Sequence, residues 1–314
     1  MAIPGCGTPA PRPPEPPRSL GSLAPEASEE RALGPATEVC VLGETVLACR
    51  EDGALTWASS TGRGRIAPPP EAVFRHVAAG GGRALAVTNR GIVHEVDVAS
   101  GTTRAIEGRT QGIAHLAVGP DGVGYVGIEG GALFRVPRDA KAVETLWESG
   151  AEPVAALAAD ENRVFVAHAD GTIAWTPEGP TSKATLLPDI PAVMALAADA
   201  RGIAIGVAGG FVRWSSLPRG ATVLGAPEVV ELNGPVRALS MLPGYVIVLL
   251  RPSRIELLRL PKLERVGAVA LPGLEVRAIA TDPSGRRLWL ATSGAAGVRE
   301  LPILGEPATA TEGR

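Results

Sequence analysis

The stretch ALAADENRVFVAHADGTIAW, residues 156–175, reads as three short strands joined by two turns. ALAAD (156–160) alternates small and larger apolar residues and runs into Asp160-Glu161-Asn162, a hairpin-type turn. VFVA follows as a β-branched and aromatic run, and Asp170-Gly171 supplies a second turn. A third run then ends on Trp175.

This unit repeats. Asp52-Gly53, Arg90-Gly91, Gly130-Gly131, Asp170-Gly171 and Gly209-Gly210 place their second glycines 38, 40, 40 and 39 residues apart. Each precedes an apolar-alternating run: ALTWA, IVHEV, ALFRV, TIAWT and FVRWS. First strands are expected at EVCVLG (38–43), HVAAG (76–80), HLAVG (115–119), ALAAD (156–160), ALAAD (195–199), ALSML (238–242) and AIATD (278–282). Second strands follow at VLAC, ALAV, YVGI, VFVA, IAIGV, VIVLL and LWLA, and weaker fourth strands at TTRAI (102–106), KATLL (183–187) and VVEL (229–232). A period near 40 residues with short strands and glycine turns is that of a β-propeller. Four short strands cannot bury both faces of a sheet alone, so neighbouring units must stack around an axis. The expected fold is all-β, a seven-bladed propeller of four-stranded antiparallel blades. In blades 6 and 7 the glycine period lapses: Arg251-Pro252-Ser253-Arg254 replaces one turn and Ser293 to Gly297 lengthens another. Six blades plus a divergent cap is therefore the alternative. Helical windows are nearly absent; the patterning around Glu29 to Leu33 is too short to hold a helix by itself.

Residues 1–28 are expected to be a disordered leader, because Pro4, Pro9, Pro11, Pro13, Pro14, Pro16 and Pro17 disfavour helix and sheet. The propeller is placed at 29–304 and a disordered tail at 305–314. The last unit supplies only three clear strands, so Glu30 to Leu33 is expected to close the ring by pairing with the third of them.

GALTW (53–57), GTIAW (171–175) and GFVRW (210–214) each put Trp four residues after the glycine. Together with Asp170-Gly171-Thr172-Ile173, these segments make residues 30–303 resemble a divergent bacterial WD40-like seven-bladed propeller. That family usually places Trp one residue later, followed by Asp, and carries a Gly-His pair near the repeat start. Here Ala, Thr and Ser follow Trp57, Trp175 and Trp214, and no Gly-His pair occurs, so its hydrogen-bond tetrad does not carry over. The resemblance implies a non-catalytic platform for protein partners.

Composition agrees with a binding role and narrows it. The net charge of −3 argues against generic nucleic-acid binding. No apolar run reaches the 18 or so residues that a membrane-spanning helix needs. The excess of Arg over Lys reads as the coding bias of a GC-rich, bacterial genome. A cytoplasmic monomer is expected, without cofactor. Ile3-Pro4-Gly5-Cys6 resembles the end of a lipoprotein signal, so an exported lipoprotein is the alternative should the true start lie upstream. Cys40 and Cys49 fall on the first two strands of blade 1 and are expected to be buried free thiols.

No nucleophile elbow, zinc-protease helix or P-loop motif appears. Gly80-Gly81-Gly82 reads as a hairpin between strands. His76 and His115 open first strands of adjacent blades, in one column, and are the metal candidates for an axial, lactonase-type hydrolase, the alternative function. The same column holds Ala156, Ala195, Ala238 and Ala278, while His94 and His168 lie in other columns. An exported ligand-binding propeller is the third reading. Glu95, Asp97, Glu129 and Asp170 are available carboxylates with no common spacing. Trp57, Trp175 and Trp214 are read as inter-blade packing, with Glu95 and Arg135 filling the gaps in their column as a candidate ion pair. The window 251–299 is basic, and Arg251, Arg254, Arg286 and Arg287 are the candidates for docking an acidic partner.

Overall fold

In the computed structural model of the protein, residues 18–20, 33–108, 110, 112, 115–148, 152–161, 163–176, 184–186, 190, 192–218, 221, 223–294 and 297–305 are described. They form 28 strands in seven four-stranded antiparallel sheets. Blade 1 comprises Ala36–Leu42, Thr45–Arg50, Leu55–Ala58 and Arg63–Ile66. Blade 2 comprises Phe74–Gly80, Arg83–Thr88, Val93–Asp97 and Thr102–Ala105, and blade 3 His115–Val118, Gly124–Gly127, Leu133–Val136 and Glu144–Trp147. Blade 4 holds Val154–Ala159, Val164–His168, Ile173–Trp175 and Ala184–Leu186; blade 5 holds Val193–Asp199, Gly202–Val207, Phe211–Ser216 and Glu228–Glu231. Blade 6 is Val236–Leu242, Tyr245–Leu250, Arg254–Arg259 and Glu264–Ala270. Blade 7 is Val276–Thr281, Arg287–Thr292, Val298–Gly305 and, from the other end of the chain, Arg18–Leu20.

The periodic glycines sit in the turns between second and third strands. Gly53, Gly91, Gly131, Gly171 and Gly210 all have φ between 75° and 86°. Gly91 shows why no other residue serves: a Cβ there would lie 1.6 Å from the Thr110 carbonyl oxygen, while the Gly91 carbonyl accepts from the Thr110 N–H at 2.9 Å. The glycine thus fixes both the turn and its contact with the chain entering the next blade. Blades 6 and 7 reach the same topology without the periodic glycine, so the seven-blade reading holds over the six-plus-cap alternative.

Second strands are buried on both faces; Arg83–Thr88, Gly202–Val207 and Tyr245–Leu250 are buried at every position. Outer strands are mostly exposed, as in Glu228–Glu231. The core is accordingly divided into seven clusters, one at each interface between adjacent blades. Trp57, Trp175 and Trp214 belong to three of these, as inter-blade packing requires. Cys40 and Cys49 are buried free thiols.

Ring closure differs from the expectation in its residues. Arg18, Ser19 and Leu20 pair with Gly305, Leu304 and Ile303, so the closing strand lies within the segment assigned to the leader, and the propeller begins before residue 29. Leu33 is not in a strand. It is buried instead, and its carbonyl accepts from Arg50 Nη1 at 2.8 Å and Thr56 Oγ1 at 3.2 Å. These bonds hold the chain against blade 1, and that is why Leu33 does not reach the edge of blade 7. Glu30 to Ala32, the rest of residues 1–28 and the tail after Gly305 lie outside the described residues. No described helix is long and apolar enough to cross a membrane.

Candidate docking face and channel mouth

Six of the seven first strands open with the same irregularity. The register shifts between Ala36 and Glu38, Phe74 and His76, Val154 and Ala156, Val193 and Ala195, Val236 and Ala238, and Val276 and Ala278. Such a bulge re-aims the following side chain. The column after the bulge runs Glu38, His76, His115 and then four alanines.

Glu38 completes what the histidines alone did not. Its Oε1 lies 2.6 Å from His76 Nδ1, and its Oε2 accepts from the Val77 N–H at 2.8 Å. One carboxylate thus ties blade 1 to blade 2. Burial alone would lower the His76 pKa; the hydrogen bond and charge of Glu38 outweigh it and raise the pKa. His115 stands with its ring centroid 6.4 Å from that of His76. Burial, then the His76 charge, push its pKa down to about 4. Among the described residues no group of three His, Cys, Asp or Glu side chains is placed to hold a metal. His94 packs edge-on against Phe74 at 5.5 Å, and His168 Nδ1 bonds the Glu152 carbonyl at 2.8 Å, both away from this column. Glu38 was visible as the first residue of EVCVLG, aligned with His76, but its bond across to the neighbouring blade shows only in the structure.

The opposite face carries the hairpins between first and second strands. Arg83 and Arg163 occupy the same hairpin position, opposite Gly80 and Asp160. Both are buried. Arg83 Nη1 donates to the carbonyls of Gly122, Val136 and Pro137 in blade 3, at 3.2, 3.2 and 2.8 Å, while its Nε holds Glu95 at 2.9 Å. Arg163 Nη1 donates to the Leu217 carbonyl of blade 5 at 2.7 Å, and its Nε holds Asp160 at 2.7 Å. These are inter-blade latches: a guanidinium satisfying carbonyls that a turn leaves unpaired. The surplus of arginines hid them in the sequence. Glu95 pairs with Arg83 and Arg104, and Arg135 with Glu144 at 3.5 Å, so Glu95 and Arg135 do not pair with each other. Asp97 and Asp170 cap their own turns, at 2.9 Å to the Ala99 N–H and 2.8 Å to the Thr172 N–H. Glu129 is exposed.

Among the described residues, two clefts open on this hairpin face. One, of about 840 Å³, spans the hairpins of blades 3 to 6 and is lined by Pro120, Glu161, Ala200, Met241, Pro243 and Leu260 among others. The other, of about 470 Å³, lies at the seam between blades 7 and 1. Its floor is Leu33, Val41, Val46, Ala58 and Trp289, and its rim carries Glu44, Ser60, Arg286 and Arg287.

The four candidate arginines divide between the faces. Arg251 is exposed in the turn between second and third strands of blade 6, where Arg254 is occupied by the buried Glu256 at 3.0 Å. Arg286 and Arg287 are exposed at the blade 7 hairpin, on the other face.

A ring of seven four-stranded blades closed by an N-terminal strand defines a seven-bladed β-propeller. No family model matches the chain, and no curated protein matches it. Among solved structures, U3-55K matches with TM-score 0.72 at 14% identity over 86% of this chain and 96% of that one. A chain of the crystal structure of the mitotic checkpoint complex matches with TM-score 0.72 at 15% identity over 98% of this chain and 97% of that one. At these identities the likeness is one of fold.

Proposed function

We propose that this chain is a non-catalytic protein-interaction scaffold that receives its partners on the hairpin face. The observation that carries this reading is the pair of clefts on that face, set in a ring whose blade interfaces are filled by apolar clusters. A rigid frame with open, mixed apolar and charged concavities suits recognition of other proteins. The likeness in fold to a chain solved within the mitotic checkpoint complex supports the reading. We further propose a cytoplasmic monomer; light scattering should then give a mass near 32.1 kDa.

The test is site-specific photo-crosslinking in cells. A photoreactive side chain at Ser60 or Pro243, on the hairpin face, should trap defined protein partners. The same group at Glu51, on the other face, should trap few. Equal trapping at all three positions, or none at Ser60 and Pro243, overturns the proposal.

A further inference from the structure

We infer that the seam cleft between blades 7 and 1 binds a short segment of a partner protein carrying a bulky apolar side chain beside an acidic one. The inference deepens the scaffold reading and rests on it.

Arg287 lies opposite Asp282 in the blade 7 hairpin, the place that Arg83 and Arg163 hold in blades 2 and 4. Those two arginines are buried and reach into the following blade. Arg287 does neither. Its side chain is half exposed and turns to Glu300 of its own blade, with 3.7 Å between Nε and Oε1. Where the latch would enter blade 1, the cleft lies open, and Arg287 forms part of its wall.

What would fill the cleft follows from its chemistry. Val41, Val46 and Trp289 make an apolar floor, which calls for a bulky apolar side chain. Arg286, exposed beside Arg287, puts a second guanidinium on that wall; Arg287 faces Glu300 and Asp282 also lines the cleft, so it is Arg286 that offers paired N–H donors to an incoming carboxylate. Glu44 on the blade 1 rim repels a second acid and so sets the direction of the segment. An acidic residue adjoining the apolar one meets both requirements, whereas a lysine in its place meets the arginine wall as a like charge.

The test begins with random peptides displayed on phage and selected on the full-length protein. Enriched peptides should pair Leu, Ile, Phe or Trp with a neighbouring Asp or Glu. The most enriched one, fluorescein-labelled, should bind the Arg286→Glu, Arg287→Glu double variant at least about tenfold more weakly by anisotropy. Ser60→Trp, which fills the cleft from its exposed rim, should weaken binding to a similar extent. Both variants should unfold at the wild-type denaturant midpoint. Replacing the peptide's acid by Lys should recover binding to the double variant. Enrichment of peptides lacking the acidic-apolar pair, no enrichment, or equal binding to all variants overturns the inference. Partners still cross-linked at Pro243 of the double variant would show that the scaffold reading survives its fall. Absence of cross-links at both Ser60 and Pro243 of the wild type would remove both.

Discussion

The interface between blades 4 and 5 and the seam between blades 7 and 1 are built on the same register and finished differently. At the first, Phe165, Trp175, Ile203, Ile205 and Leu217 are completely or almost completely buried. Arg163 lies over Phe165, with its guanidinium carbon 5.4 Å from the ring centroid, and latches the blades at the hairpin face. At the second, the cluster consists largely of Ala36, Ala48, Ala58, Ala291 and valines, and the arginine in the latch position faces out. Small residues leave room beside Trp289, and that room is the cleft. The difference teaches that a repeat protein can open a binding site by local omission: at the seam small residues stand where the interface between blades 4 and 5 has aromatic ones, and the arginine does not cross, while the ring around it stays packed.

The largest expected effect puts the two interfaces side by side. Phe165 and Trp289 hold the same strand position, two residues beyond the latch arginine. Phe165→Ala should cost about 3–5 kcal/mol of unfolding free energy. Trp289→Ala removes a larger side chain, yet should cost less, about 3 kcal/mol, because the alanines and valines around it at the seam make fewer contacts. Guanidinium unfolding of both variants decides it; equal or reversed costs break the comparison.

The latches come next. Arg163→Met leaves Asp160, whose side chain is 3% exposed, without its cation, and should cost about 3 kcal/mol. Arg287→Met should lie within about 0.5 kcal/mol of wild type, as for an ordinary surface substitution. A costly Arg287→Met would mean that the seam is latched after all.

How much of this was legible in the sequence follows from what each feature signals. The glycine period marked the turns because only glycine fits there, and the alternating runs marked the strands. All seven first strands fall where expected, most of them extended by two residues at the start. The extension is the bulge, which has no residue signature: Thr37, Arg75, Ala155 and Met194 occupy it equally. The strand starts already align Glu38 with His76; what the sequence does not show is that the carboxylate reaches across to the next blade's imidazole. The latches escaped because an arginine at a hairpin reads as solvated, and only the neighbouring blade's carbonyls show otherwise. The closing strand escaped because three residues beside a proline run carry no period. Arg286 and Arg287 were picked out by charge alone; their grouping with the cleft, and their separation from Arg251 and Arg254, needed the blades in place.

Closure offers a smaller but clean test. Deleting residues 1–17 should leave the melting temperature unchanged, whereas deleting 1–20 removes the strand that covers Ile303 and Leu304. The half-buried Leu20 packs with the cluster between blades 6 and 7, so the loss should be about 1–2 kcal/mol. Its effect should appear at the seam too, through easier unfolding of blade 7 in hydrogen exchange. Equal melting temperatures for the two truncations would show that the three-residue strand contributes nothing to closure.

The smallest effect concerns the interface between blades 1 and 2, where the tie is titratable and so stands between the latched and the open case. The folded-state pKa of His76 lies above its ordinary value of 6.5. The stabilisation from its pairing with Glu38 is therefore fully present below pH 6.5 and is lost as pH rises through the raised value. His115 has the opposite sign: with a folded pKa of about 4, its protonation opposes folding as pH falls from 6.5. Glu38→Gln separates the two. It should lower the His76 pKa, read from the imidazole proton shifts by NMR, and cost about 1 kcal/mol or less at pH 6. At a pH above the raised value, the variant and the wild type should converge. The fall in stability toward pH 4 should persist in Glu38→Gln and be smaller in His115→Gln, where only the carboxylates held below their ordinary range, such as Asp52 and Asp170, still contribute to it. A variant whose deficit against wild type stays constant from pH 6 to 9 would mean that Glu38 joins the blades through its bond to the Val77 N–H rather than through the imidazolium, and the tie would then rank with the carbonyl latches instead of between them and the open seam.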